Sequence, residues 1–464
     1  MTRLGRESWP AAGAPRPVRA VHLGLGAFHR SHQAWYTEHA ADREGWGIAG
    51  FTGRSPGTAA LLEEQGCLYT LVERGPAGDR PEVVGSISAA HDGDDAAAWS
   101  GCMGAPGVAV VTLTVTEAGY HLDGAGHLDL GDPDVARDVA RLRAGFSPAE
   151  RSARTMPGRL VTGLAARRHS GAGAVSIVPC DNLMNSGAVT RNAVLDFCEA
   201  LDPSLAAWVA ANVSFVSTVV DRITPTTRVE DLDLVERIIG REDRAAVVAE
   251  PFSEWVLAGE FPAGRPDWVS AGARLVPDVA PFAERKLGLL NGGHSLLAYA
   301  GSALGHSTVA GAVADPRCRA WLEEWWDGVA RVVPLPADEV AGYRLALLDR
   351  WTNPRISHTL SVIARDGSLK LVQRVLPVIR RHLAIGEPAP TGAARVLGAW
   401  LAHLRGSGAP IRDPRATELV RLAAGDRSEA ARAVLDAVEP GLGAERDLVR
   451  DVAATCRELE GLRR

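Results

Sequence analysis

The stretch Arg19 to Ala41, RAVHLGLGAFHRSHQAWYTEHAA, decides how the chain is read. Its first seven residues, RAVHLGL, form a short apolar run containing a glycine, and Ala27 to Ala41 carries apolar residues at helical spacing. The segment therefore reads as strand, tight turn, helix. In the turn, Gly24-Leu25-Gly26-Ala27-Phe28-His29-Arg30, the first glycine permits the reversal and the second lets the backbone approach a pyrophosphate, with a helix N-terminus facing the anion. His29 replaces the third glycine of the usual G-x-G-x-x-G, so the pattern taken alone fits a structural turn as well as a dinucleotide site.

Outward from this turn, the pattern of alternating strands and helices continues. Trp46 to Phe51 follows about where a second parallel strand belongs. VAVVTLTV, Val108 to Val115, is almost wholly apolar or β-branched, as in a strand buried on both faces, and Val175 to Val178 and Phe215 to Val220 look alike. The second strand ends in Gly53-Arg54-Ser55, with no acid to hold an adenosine ribose. NAD is the expected cofactor, and NADP stays open because Arg54 is suited to a 2′-phosphate.

After the Pro- and Gly-rich segment 262–281 the character changes. Lys286 to Leu304, Cys318 to Val332, Ala337 to Leu348, Leu369 to Ala384, Ala393 to Arg405 and the stretches beyond Arg415 all carry helical spacing. The expected fold class is α/β: an expanded Rossmann-type N-terminal domain over 1–277, followed by a mainly α-helical substrate and catalytic domain over 278–464. The first eighteen residues are expected to be partly disordered.

Bulk numbers narrow the function. The 464 residues can bury two cores, and 46% hydrophobic against 23% charged residues excludes a disordered chain. A net charge of -6 gives no basic field for nucleic acid or anionic lipid. No run approaches the roughly 18 apolar residues of a membrane span, and the start lacks the apolar core of a secretory signal. A cytoplasmic protein acting on small molecules is expected. Six cysteines (Cys67, Cys102, Cys180, Cys198, Cys318, Cys456) form no C-x-x-C pair, so neither a disulfide framework nor a zinc site is expected.

Of the fifty Lys plus Arg residues only Lys286 and Lys370 are lysine. Arginine holds its proton near neutral pH, whereas a desolvated lysine can release one, so a lysine surviving in so arginine-rich a chain is a candidate for acid-base chemistry. Lys286 opens KLGLLNGGHSLLAYAG, in which Asn291 and His294 follow at i+5 and i+8. At about 100° per residue these three share one face of an α-helix. The apolar residues between them imply burial, which would depress the lysine and demand partners for the amide and imidazole. Gly292 and Gly293 cost about 1 kcal/mol each relative to alanine, which suits a helix that something approaches closely. A lysine snorkelling to solvent beside a satisfied core histidine is the plainer alternative.

The chain resembles the polyol-specific long-chain dehydrogenases, the group of mannitol 2-dehydrogenase, D-arabinitol 4-dehydrogenase and fructuronate reductase. GLGAFHRSHQAWYTE, LYTLVER, TVTEAGY, PCDNLMNSG, VVDRITP, EPFSEWV, PFAERKLGLLNGGHSLLAYAG and DGSLK occur in the family's order across nearly the whole chain. The resemblance implies an active site in a cleft between a Rossmann domain and a helical domain. It implies Lys286 as general base, with Asn291, His294 and Asn182 holding the reacting oxygen. Asp221 and Lys370 are implied on the substrate side, where Arg365, flanking Lys370, is a further candidate; Gly24, Leu25, Gly26, Ala27, Phe28, Arg30, Thr116 and Glu117, with Arg54 from the strand end, are the candidates on the cofactor side. No metal is implied, and a monomer is expected over an oligomer.

The chain departs from the family pattern in places. Relatives carry a carboxylate three residues before the lysine where this chain has Ala283, Glu284 falls elsewhere on the helix, and Met184 and Asn185 replace Pro and His. No Tyr is followed four residues later by Lys, which disfavours the short-chain mechanism. Within the enzyme class, a neutral sugar alcohol with its ketose comes first and a sugar acid second, the latter requiring a bidentate arginine, with Arg365 and Arg374 flanking Lys370. A dinucleotide sensor without catalysis is the competing class. WTNPRIS, Trp351 to Ser357, reads equally as a wall of the site and as a turn.

Overall fold

A computed structural model describes residues 2–53, 56–144, 153–356 and 358–461. Arg54, Ser55 and Ser357 lie outside the described residues. The chain divides into two compact units, Met1–Ala280 and Pro281–Arg464.

Among its described residues the first unit holds twelve strands: β1 (Val18–Leu23), β2 (Gly47–Phe51), β3 (Tyr69–Gly75), β4 (Gly78–Val84), β5 (Ile87–His91), β6 (Val110–Leu113), β7 (Val175–Pro179), β8 (Val213–Phe215), β9 (Ser217–Asp221), β10 (Val247–Ala249), β11 (Glu254–Ala258) and β12 (Arg274–Leu275). Six form a parallel sheet in the order β5-β2-β1-β6-β7-β8. Both faces are covered, which is why the strands read as continuous apolar runs. Val21, Ala49 and Val111 point into one core with Leu160, Leu164 and Phe197, while Ala20 and Ile48 point into another with Ala34, Leu62 and Val247. Two three-stranded sheets, β10-β3-β4 and β12-β11-β9, complete the unit.

Three expectations are corrected here. Phe215 to Val220 is not one strand: pairing with β7 ends at Ile177↔Phe215, and the chain then leaves to pair antiparallel with β11 from Ser217↔Ala258. The helix after the glycine turn breaks into Ala27–Ser31 and Gln33–His39. At the break, His32 adopts φ -120°, ψ -87°, and its ring turns inward to bond the Glu254 carbonyl at 3.0 Å. The N-terminal segment is tied down over its described residues: Leu4 is fully buried and bonds Glu242, while Arg6 Nε donates to the Gly66 carbonyl at 2.9 Å.

The second unit has no strand among its described residues, only an isolated bridge between Thr308 and Thr359. Its central helix, Thr391–Leu404, is buried nearly all round. Glycines let neighbours close onto it: a Cβ at Gly392 would lie 2.2 Å from Trp325 Cα, and one at Gly398 would lie 2.5 Å from Thr455 Cβ. Leu369 to Ala384 is not one helix but two, Gly367–Arg374 and Leu376–Ala384. Pro377 lacks the N–H that a continuous helix would donate to Gln373.

Candidate active site

In the large sheet the strand order reverses between β1 and β6, and ligands of doubly wound sheets bind beyond the strand ends at such a point. The glycine turn leaves β1 there. Gly24 takes φ +106°, a conformation that suits glycine, and a Cβ on it would lie 2.1 Å from the Thr114 carbonyl oxygen. Thr114 Oγ1 donates to the Gly24 carbonyl at 2.8 Å, linking the two strand ends. Leu25 N–H donates to Phe51 O. At Gly26 a Cβ would meet nothing closer than 3.5 Å, so its outer side is open, as a backbone that a phosphate approaches must be. Ala27 and Phe28 begin the helix, and Arg30 holds the turn from behind, donating to the carbonyls of Gly26 (3.2 Å) and Ala245.

The histidine in place of the third glycine has a physical role. His29 stacks on His22 of β1 with ring centroids 3.4 Å apart and planes 11° from parallel, so helix and strand approach through two flat rings instead of a missing side chain. His22 Nε2 lies 3.0 Å from Thr114 Oγ1 and Nδ1 lies 2.8 Å from Thr112 Oγ1. Because the Thr114 proton goes to Gly24, His22 donates from Nε2 and accepts at Nδ1. Burial pulls His22 down to about 3 and His29 well below its ordinary range, so the stack is neutral.

Beyond β6, Thr116 caps the 3-10 turn Glu117–Tyr120, and both Thr116 and Glu117 are exposed. Beyond β7, exposed Asn182 follows the buried Asp181. The Asp181 carboxylate accepts from Val115 N–H at 2.6 Å and from the Tyr120 hydroxyl, clamping the ends of β6 and β7 together. Its burial lifts it to about 7, a tendency that the two hydrogen bonds oppose. Asp221, buried, ends β9, outside the large sheet. Asn185 takes a left-handed φ of 51° at the start of the helix Ser186–Leu201, which asparagine tolerates, and Met184 is 38% exposed.

In the second unit the lysine segment is not the regular α-helix expected of it. Lys286–Gly292 and Leu297–Gly301 are π turns flanking a short α stretch, Gly293–Leu296. The face is shared for a different reason: an i→i+5 bond sets Asn291 about one turn beyond Lys286, and His294 follows at i+3. Lys286 is half-buried, whereas Asn291 and His294 are 9% and 7% exposed. What approaches the glycines is tryptophan: Trp325 of the helix Pro316–Ala330 at Gly292, and Trp351, ahead of Trp326, at Gly293. A Cβ at Gly292 would lie 2.6 Å from the Trp325 ring, and Trp325 and Trp326 donate their indole N–H groups to the carbonyls of Gly288 (2.8 Å) and Leu289 (3.0 Å).

Asn291 Nδ2 and His294 Nε2 are buried without a hydrogen-bond partner. Two residues stand beside them, Trp351 from the WTNPRIS segment and His358, which sequence reading did not single out: the His294 ring lies 4.7 Å from both, and Trp351 Nε1 and His358 Nδ1 are likewise unpartnered. The imidazole of His294 is held well below its usual range by burial, then by His358, Arg350 and Arg374, so it is neutral. Lys370 donates to the Ile363 carbonyl at 3.2 Å, and Arg365 is exposed in the turn before its helix. Glu284 is ion-paired with Arg381. Among the described residues no group of three or more His, Cys, Asp or Glu is arranged to hold a metal, no helix is long and apolar enough to cross a membrane, and all six cysteines are free.

Residues 18–270 match the Mannitol dehydrogenase Rossmann domain and residues 278–460 the Mannitol dehydrogenase C-terminal domain. The chain is 38% identical to D-mannonate oxidoreductase of Escherichia coli (strain K12), over 87% of this chain and 83% of the relative. It is 35% identical to mannitol 2-dehydrogenase of Cereibacter sphaeroides, over 83% and 81%. Among solved structures, a substrate-free D-sorbitol dehydrogenase superposes with TM-score 0.86 at 28% identity, covering 100% of this chain and 99% of its own. A Pseudomonas fluorescens mannitol 2-dehydrogenase in ternary complex with NAD and D-mannitol gives 0.79 at 32% identity, over 99% and 96%. Fold and relatives together define an oxidoreductase built from a Rossmann-type unit and a helical unit. Within that class, the chain belongs to the mannitol dehydrogenase family.

Proposed function

We propose that the protein interconverts a secondary alcohol of an open-chain sugar alcohol or sugar acid with its ketone, using NAD, and that Lys286 transfers the proton. The observation that carries this reading is the pair of buried, unpartnered donors, Asn291 Nδ2 and His294 Nε2, on the helix that Lys286 opens. A buried polar atom without a partner costs about 1–3 kcal/mol, and a substrate oxygen would remove that cost.

Gly24, Leu25, Gly26, Ala27 and Phe28 would hold the pyrophosphate, with Thr116 and Glu117 beside it. When bound, the nicotinamide supplies the hydride acceptor. In oxidation Lys286, uncharged, accepts the hydroxyl proton, while Asn291 and Asn182 donate to the oxygen as negative charge builds on it. The carbinol carbon loses its hydride, the C–O bond becomes a carbonyl, and the proton stays on Lys286. In reduction the protonated lysine returns it. Neutral His294 orients the oxygen without competing for the proton. The scheme gives no role to a metal.

Absorbance at 340 nm with fructose, fructuronate, tagaturonate, mannitol and arabinitol, run with NAD(H) and NADP(H), tests the reading. Turnover is expected with at least one of them, NAD being the better cofactor and NADP the second. Lys286→Ala is expected to lose most turnover yet still bind cofactor. Near-normal activity in that variant would remove Lys286 from the mechanism, and NADH binding without any turnover would favour a sensor.

A further inference from the structure

Arg374 differs from Arg222, Arg159 and Arg167, three arginines buried in the first unit. Arg222 is paired with Glu73 and Arg159 with Asp94, and Arg167 donates to a set of backbone carbonyls. Arg374 has no carboxylate. Among the described residues its guanidinium makes two hydrogen bonds, both from Nη1: to the Asn291 carbonyl at 3.4 Å and to Ser295 Oγ at 3.2 Å. Nε and Nη2 make no hydrogen bond among the described residues, and in this half-buried side chain neither is sealed off, so an incoming group can reach them. Burial draws the group down to about 10, the mark of a cation that solvent no longer fully compensates.

Around the His294 side chain the charged neighbours share the guanidinium's sign. Asn291, whose carbonyl it holds, is the residue whose side-chain amide is unpartnered, and the next residue to lack a partner is His294. The charged groups acting on His294 are Arg350, Arg374 and, when protonated, His358, with no acid among them. Lys370, one turn before Arg374, feels it as a like charge, and Asp366 and Asp413 act on that lysine in the opposite sense. Two unused N–H groups at the side of a guanidinium are the fork that a carboxylate fills with two parallel bonds.

From this geometry we infer that the substrate carries a carboxylate and that Arg374 is the residue that binds it, making an open-chain sugar acid, rather than a neutral polyol, the preferred substrate. The inference rests on the dehydrogenase reading above and narrows it. A neutral polyol would leave the guanidinium uncompensated.

The test compares D-mannonate with D-mannitol, two molecules of one configuration that differ at the acid group, with NAD as acceptor. Wild-type enzyme is expected to favour the acid in kcat/KM by at least about tenfold. Arg374→Gln should lower kcat/KM for the acid about 10- to 100-fold and shrink the acid-to-polyol ratio, and Arg374→Lys should recover part of the loss through its charge without the fork. Equal use of both substrates by the wild-type enzyme overturns the inference and needs no variant to fold. So does an equal loss on both substrates in Arg374→Gln, or a raised KM for NAD with the ratio unchanged, which would assign the guanidinium to a cofactor phosphate. If neither substrate is turned over and no member of the wider panel is either, the dehydrogenase reading itself has failed. Turnover of neutral polyols alone sinks the carboxylate and leaves that reading standing.

Discussion

Asp181 lies one residue before Asn182 and works on the backbone around it. Its ordinary value near 4 applies to the unfolded chain, and burial raises it to about 7 in the fold. Its contribution to stability is therefore complete below about pH 4 and is lost as pH rises through about 7. Asp181→Asn should flatten the decline in unfolding free energy between pH 4 and 8, a difference on the order of a few kcal/mol. Parallel urea titrations of the two proteins at pH 5 and 8 check this, and identical slopes would refute it. His294 gives the opposite expectation: because it is already neutral, the pH profile of turnover should show no step near 6.5 belonging to it, and His294→Asn should alter the rate without moving the profile. At this scale the sequence was readable where one segment carried the message. Lys286, Asn291 and His294 lie within nine residues of one another. His358 was not named, and Trp351 and Arg374 were named only as open candidates, since the nearness of all three to His294 arises from the packing of segments more than fifty residues away.

At the scale of elements, the π turns matter most. Counting at 100° per residue put Lys286, Asn291 and His294 on one side, and they share a side, but through wider turns that no count of apolar positions could disclose. The pull comes from Trp325 and Trp326, whose indoles take up the Gly288 and Leu289 carbonyls. Gly292→Ala poses a contest between two effects. Alanine favours a helix over glycine by about 1 kcal/mol, while its methyl would sit 2.6 Å from a ring pinned by its own hydrogen bond, and overpacking of this kind costs about 1–3 kcal/mol. A net loss of stability is expected in a denaturant melt, and an unchanged or higher midpoint would show that the ring can retreat. Trp325→Phe, which keeps the packing and strips the Gly288 carbonyl of its donor, should cost about 1–3 kcal/mol. The break before Leu376 has its cause in Pro377, a signal that the reading of Leu369 to Ala384 as one segment passed over. The break at His32 was not, because it depends on a carbonyl contributed by β11.

On the scale of the whole molecule, the alternation of apolar runs and helical spacing in the first half, and its cessation in the second, was enough to anticipate a doubly wound sheet and a helical partner. The two small sheets escaped notice because strand pairing is set by long-range packing: β9 was read together with Phe215 as one strand, and β3, β10 and β11, buried over much of their length, carry nothing in their own residues that names the sheet they join. The first unit buries cores on both faces of its large sheet and contains the glycine turn. Lys286, Asn291, His294 and Arg374 all belong to the second. A fragment of residues 1–280 is therefore expected to melt cooperatively and to be stabilised by NADH, by about 2.7 kcal/mol at a hundredfold excess over Kd, while turning over no substrate. Catalysis by the fragment would displace the chemistry from the helix to which it is assigned.

The indole bonds to the helix that Lys286 opens give the protein a built-in optical gauge. Trp325 and Trp326 are fully buried and tethered to the same turn that positions Asn291, so any settling of that turn around an incoming molecule alters the field at their rings. Emission from these two chromophores, isolated by substituting the remaining tryptophans one at a time, would allow substrate arrival to be timed in the millisecond range before any change at 340 nm.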